Sequence, residues 1–185
     1  DSEGQLTGEW QYFYESGIRK EVTVYKEGKA NGKSESWYDT GLPYSVCAYK
    51  DDELDGLETK YYYNGHKMSE VRYTTGKKNG PAKYYNINGI LYRTCTYKDD
   101  APEGEELTYH PNGQVASKEM YSGGKSNGEY KEFYESGKLK MTGMVTNGEK
   151  TGTWKTLYEN GNTEFLEIYK NGLLDGEYSS YYENG

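Results

Sequence analysis

"GLETKYYYNGHKMSEVRYTTGKKNG", residues 56–80, decides the fold. Its first run, "LETKYYYNG", is rich in aromatic residues and ends in Asn-Gly, and a second run ends on Tyr73 before another polar, glycine-containing turn. Asn and Gly tolerate the positive φ that tight hairpin turns require. The segment therefore predicts two antiparallel strands joined by a two-residue turn, with Tyr73 opposite Gly56.

Outward from this stretch the pattern repeats without insertion or deletion. Glycines stand at 8, 32, 56, 80, 104, 128, 152 and 176, a spacing of 24 residues, and a second series follows at 17, 41, 65, 89, 113, 137, 161 and 185. Each second strand closes on Tyr25, Tyr49, Tyr73, Tyr97, Tyr121 or Tyr169, with Val145 the one departure. Residues 1–185 thus read as one continuous repeat domain, with repeats starting at Gly8, Gly32, Gly56, Gly80, Gly104, Gly128 and Gly152 and a half repeat from Gly176. Two short strands cannot bury a face alone, so neighbouring repeats must pair edge to edge. The expected fold is all-β: an elongated, single-layer antiparallel sheet of about 15 strands, ~70 Å long at the usual strand spacing. Sheets beyond about ten strands twist, curl or flatten, so a twisted ribbon is expected.

Composition agrees with a thin structure. The large aliphatic residues are too sparse for an ordinary core, while 23 tyrosines and 24 glycines recur at regular intervals. A tyrosine brings a large apolar body and a polar tip, so order without a globular core follows. The net charge of -8 opposes binding to nucleic acid and direct binding to anionic membranes. No apolar run approaches the roughly 20 residues that span a bilayer, and no signal-peptide pattern is present. The missing initiator Met suggests a mature or trimmed product, and an array without caps is expected either to continue or to join neighbours head to tail.

Two aromatic rows follow from the phase. Tyr14, Tyr38, Tyr62, Tyr134, Tyr158 and Tyr182 form one, interrupted by Asn86 and His110, and they read as structural. The tyrosines that end the second strands are expected to lie over the glycines opposite them. On the other face Phe13, Trp37, Tyr61, Tyr85, Tyr109, Phe133, Leu157 and Tyr181 line up, flanked by Val24, Ala48, Met120, Met144 and Ile168. A single layer has nothing of its own to cover this second row. It packs against itself or meets a partner, and Trp37, Tyr61, Tyr85, Tyr109 and Phe133 are the candidate partner-binding residues, since aromatics are enriched at interface centres.

Chemistry was sought in "CAYKDDELDG" (47–56) and "CTYKDDAPEGEE" (95–106). The first begins like a calcium loop, but Tyr62 stands where the twelfth position needs a bidentate glutamate, and the second has Ala101 and His110 at ligand positions. Asp51, Asp52, Asp99 and Asp100 remain as a weak, surface-type cation candidate. Cys47 and Cys95 lie two repeats apart, ~19 Å across four strands, beyond disulfide reach. The thiols suit a reducing compartment or serve equally as strand fillers in an exported protein, so the compartment stays open. His66 and His110 have no ligand spacing, and an array without insertions offers no cleft for paired carboxylates. No cofactor and no enzymatic activity are expected.

"GLETKYYYNGHKMSEVRYTTGKKNG", "GEYKEFYESGKLKMTG" and "GTWKTLYENGNTEFLEIYKNGLLDG" resemble the MORN-repeat variant, the second MORN type, over essentially the whole chain. The resemblance implies a non-catalytic ribbon of β-hairpins used for protein contacts, and bacterial relatives are described as antitoxins that neutralise a toxin. Three functions are compatible with it. The first is a protein-interaction scaffold, antitoxin-like in one form. The second is a self-assembling structural protein joined by edge strands or head to tail, and the third is a binder of peptide or glycan on the aromatic row.

Overall fold

The computed structural model describes residues 4–184, and every regular element in them is a strand. The chain divides into two compact units, one running up to Ile90 and including Tyr97–Asp100, the other comprising Leu91–Thr96 and the residues from Ala101 onward. The first unit holds β1 (Gly8–Phe13), β2 (Arg19–Lys26), β3 (Lys29–Trp37), β4 (Pro43–Lys50), β5 (Glu53–Leu54), β6 (Gly56–Tyr61), β7 (Lys67–Thr74) and β8 (Lys77–Tyr85). The second begins within β9 (Leu91–Lys98). It continues with β10 (Ala101–Pro102), β11 (Gly104–Tyr109), β12 (Val115–Ser122), β13 (Lys125–Ser126), β14 (Gly128–Phe133), β15 (Leu139–Thr146), β16 (Glu149–Leu157), β17 (Thr163–Lys170) and β18 (Leu173–Ser180). Three long strands are broken in two before Gly56, Gly104 and Gly128. Hence eighteen segments appear where about 15 strands are expected from two per repeat.

In each unit, strands pair antiparallel with their sequence neighbours. The hairpin register is as the sequence predicts: Gly8 faces Tyr25, Gly32 faces Tyr49, Gly56 faces Tyr73, Gly104 faces Tyr121, Gly128 faces Val145 and Gly152 faces Tyr169. The turns reach it differently. In the first repeat the Tyr14 N–H donates to the Ile18 carbonyl and the Gly17 N–H to the Tyr14 carbonyl, closing a three-residue loop with Gly17 at φ 82°. A bulge then pairs Phe13 with Arg19 but Tyr12 with Glu21, restoring the register that a two-residue turn would have set. True two-residue turns with both residues at positive φ lie between repeats instead, at Glu27-Gly28, Asp51-Asp52, Thr75-Gly76, Asp99-Asp100, Gly123-Gly124, Asn147-Gly148 and Asn171-Gly172.

The atoms nearest a Cβ built on the strand glycines do not come from the tyrosines they face. The side chains nearest Gly32, Gly80, Gly128 and Gly176 are Val24, Arg72, Met120 and Ile168 of the preceding second strand, whereas nothing lies within 4 Å of a Cβ built at Gly8, Gly56, Gly104 or Gly152. These glycines answer a backbone demand: Gly32, for example, holds φ 129°.

Both ends of most repeats are tied to the next one. Tyr14 Oη donates to the Trp37 carbonyl at 2.7 Å, Tyr38 to Tyr61 at 2.7 Å and Tyr62 to Tyr85 at 2.9 Å. In the second unit Tyr134 donates to Leu157 at 2.7 Å and Tyr158 to Tyr181 at 2.8 Å. His110 belongs to this ladder rather than interrupting it, with Nε2 at 2.9 Å from the Phe133 carbonyl. Asn86 uses its Oδ1 within its own turn, accepting from the Asn88 and Ile90 N–H groups. At the opposite turns, the N–H of Gly28, Asp52, Gly76, Asp100, Gly124, Gly148 and Gly172 donates to the carbonyl 22 residues earlier, from Leu6 to Lys150.

Buried side chains are few, and several of them align in a row across the strands. In the first unit Thr23, Ser34 and Cys47 pair directly across strands, as do Glu58, Val71 and Ala82, and all six are buried. The Thr23 and Ser34 hydroxyls lie 2.7 Å apart, so burial leaves them partnered. In the second unit this row meets Gly143, over which the buried indole of Trp154 lies, and a methyl group at 143 would overlap the ring.

Two outcomes follow for stability. Tyr38→Phe, which strips the donor from the half-buried Tyr61 carbonyl, should lower unfolding free energy by about 0.5–1.5 kcal/mol, whereas Tyr63→Phe at an exposed site should change little in the same urea titration. Gly143→Ala should cost about 1–3 kcal/mol through overpacking. Most of that loss should vanish in a Trp154→Ala background; an equal loss in both backgrounds would show that the indole is not the obstacle.

Candidate functional site

Trp37, Tyr61 and Tyr85 in the first unit, and Tyr109 and Phe133 in the second, are all half-buried. Much of what they offer is engaged within the row. The Arg19 guanidinium lies 5.5 Å from the Trp37 ring centroid. Tyr85 Oη donates to Glu70 Oε2 at 2.6 Å, and Lys67 Nζ reaches the other oxygen of that carboxylate at 2.6 Å. Those two hydrogen bonds, first from Lys67 and then from Tyr85, hold the Glu70 carboxyl below its ordinary pKa. Burial and the Glu70 bond push the Tyr85 phenol up to about 12, keeping it a donor. Tyr109 Oη sits 3.2 Å from Thr94 Oγ1.

The open apolar side chains of the first unit lie partly on its first strand, at Trp10, Tyr12 and Phe13, partly at Leu57, and partly at the hairpin tips of repeats two to four. Leu42 is 40% exposed, Tyr44 39%, Tyr63 65%, Ile87 40% and Ile90 37%. The loops carrying them are braced. Asn64 Nδ2 donates to the Ile87 carbonyl at 2.7 Å, His66 Nδ1 lies 3.1 Å from the same oxygen, and the His66 ring packs over Gly89. Tyr38 and Tyr44 meet edge to face at 5.2 Å between centroids. The matching positions carry Glu15, Ile18 and Lys20 in repeat one, Pro111, Gln114 and Ala116 in repeat five, and Glu135, Lys138 and Lys140 or Glu159, Asn162 and Glu164 in the last two full repeats. Reading those columns across repeats exposes the contrast; reading along the strands hides it, because the tips lie outside the alternating pattern.

The acidic turns serve the backbone. Asp52 Oδ1 accepts the Ala30 N–H at 2.7 Å while the Asp52 N–H donates to the Ala30 carbonyl, and Asp100 repeats this with Lys78 at 2.8 Å. Asp51 Oδ1 receives Asn31 Nδ2 at 3.3 Å. Among the described residues no three His, Cys, Asp or Glu side chains gather closely enough to hold a metal ion. Cys47 and Cys95 are buried and form no disulfide, and burial raises the Cys47 thiol above its ordinary pKa.

The family model of the MORN repeat variant matches residues 6–27, 54–74, 102–122, 126–147, 150–171 and 174–185, well over half of the chain. The unmatched stretches, 28–53 and 75–101, contain both Asp-Asp turns and keep the same 24-residue phase. No curated protein matches the chain. Among solved structures, a point mutant of S. aureus TarM in complex with fondaparinux, alpha-GlcNAc-glycerol and UDP is 9% identical over 58% of this chain and 21% of its own, with a TM-score of 0.38. Accessory secretory protein 1,2 and 3 of Streptococcus pneumoniae is 16% identical over 64% of this chain and 18% of its own, with a TM-score of 0.20. This chain thus spans about a fifth of either relative's length, and likeness at that level carries no inference. The match that counts is the recurring one in sequence: the chain belongs to the MORN repeat variant family.

Proposed function

We propose that this chain is a non-catalytic scaffold that binds another protein through the hairpin tips of repeats two to four. MORN repeats are generally modules that contact proteins or membrane lipids. The observation that carries the protein reading is that Leu42, Tyr44, Tyr63, Ile87 and Ile90 stand exposed at or beside three successive braced tips of one unit. Contiguous exposed apolar surface on ordered backbone is characteristic of interaction sites. The net charge of -8 favours a protein over nucleic acid or an anionic headgroup surface. Toxin neutralisation is one form that such binding takes.

The test is capture from the native source on immobilised protein, followed by affinity measurement with the recovered partner. Ile87→Glu and Leu42→Glu should each weaken binding about tenfold or more while leaving the melting temperature within a few degrees. Leu57→Ala, exposed at the other end of its strand from the tip, should weaken it less. A partner bound equally well by both tip variants, or protein that sediments with anionic vesicles in its place, would overturn the assignment.

A further inference from the structure

A cavity of about 310 Å³ lies between repeats five and six in the second unit. Its apolar side is formed by Tyr130, Met141, Val145 and Trp154. The Tyr130 and Trp154 rings are 5.5 Å apart and tilted by 31°, and the buried indole is fixed by its N–H, which donates to the Met144 carbonyl at 3.1 Å. This wall is therefore rigid, and the volume suits a small organic group.

Two polar groups border the same space. Lys150 Nζ stands 4.2 Å from the Trp154 centroid and 4.8 Å from that of Tyr169. Lys150, like Lys125, Lys138, Lys155 and Lys170 of this unit, has no carboxylate within ion-pair distance among the described residues, but it alone of these borders the cavity. Ser126 Oγ is buried there without a hydrogen-bond partner, an unusual state for a hydroxyl. Glu119, also on the rim, already accepts the Tyr121 hydroxyl at 3.1 Å.

Ser126 and Lys150 occupy the same repeat position one unit apart, so their backbones are two strands, ~10 Å, from each other. An N-acyl amino acid carries a group for each: a carboxylate for the ammonium, an apolar side chain for Tyr130 and Met141, and an amide for the hydroxyl. We propose that this cavity binds a carboxylate carried on an acylated, apolar residue, the chemistry shared by a free N-acyl amino acid and by the C-terminal residue of a protein chain. The site is separate from the hairpin tips and does not depend on their role.

The test uses the intact chain and follows the Trp154 indole and Ser126 amide resonances by NMR during titration with N-acetyl-phenylalanine and, separately, N-acetyl-phenylalaninamide. The acid should give saturable shifts at both positions, and the amide should bind at least about tenfold more weakly, as loss of one charge-assisted contact requires. Lys150→Met should abolish the preference for acid over amide, Lys150→Arg should retain it, and Ser126→Ala should weaken the acid several-fold with the preference intact. A hexapeptide ending in phenylalanine that binds more tightly than the acetyl compound assigns a chain terminus, and equal affinity assigns the free acid. Acid and amide binding alike, or no saturable shift with the acid, would overturn the proposal. That comparison needs no substitution, so it decides the matter even if a Lys150 variant fails to fold, and its failure leaves the tip surface untouched.

Discussion

The structure depends on the hydrogen bond that all full repeats but the one with Asn86 send from a turn side chain to the backbone carbonyl of the next. Strand ladders alone hold a sheet together but tolerate slippage wherever no second layer distinguishes one register from another. Here Tyr38 Oη on the Tyr61 carbonyl fixes the phase at one turn, and the Gly76 N–H on the Leu54 carbonyl fixes it at the other. A repeat pinned at both turns cannot gain or lose a residue without breaking one of the two ties. That constraint explains a 24-residue period free of insertions better than core packing does, since few side chains are fully buried.

A second, longer period is laid over the first. Val24 over Gly32, Arg72 over Gly80, Met120 over Gly128 and Ile168 over Gly176 recur every other repeat, and the intervening strand glycines stay uncovered. Asp51-Asp52 and Asp99-Asp100 follow the same double spacing. Aspartate tolerates a left-handed turn better than most residues, and here the Asp52 and Asp100 carboxylates each accept a backbone N–H from the preceding repeat. What looks in sequence like a cluster of ligands for a cation is thus, at these two residues, a pair of clasps between strands.

The sequence carried the hairpins, their register and the repeat boundaries, because glycine and tyrosine at fixed intervals are direct consequences of backbone geometry. It misassigned the turns: Asn64-Gly65 looks like a two-residue turn, yet only Gly65 takes positive φ, and the compensating bulge beside Tyr61 leaves no mark in composition. It also broke the ladder at His110, since an imidazole reaching a carbonyl as a phenol does is a matter of length and direction, not residue class. The aromatic row of Trp37, Tyr61 and Tyr85 was legible as a row, but its half-burial depended on which partners, such as Glu70 and Arg19, folded against it.

Where recognition can reside follows from what the ladder leaves unconstrained. The glycine and tyrosine positions are committed to backbone geometry, and the buried row admits only side chains narrow enough to sit side by side, with Gly143 yielding entirely to Trp154. The tip positions meet neither limit: they project beyond the paired strands, and they carry glutamate and lysine in some repeats and leucine, tyrosine and isoleucine in others. Substitution there leaves the register bonds in place, because those bonds come from the flanking Tyr38 and Tyr62 and from backbone groups. A fold that fixes its own phase so rigidly thereby frees one edge to vary its chemistry repeat by repeat, and in this chain that freedom places exposed apolar groups on three consecutive tips.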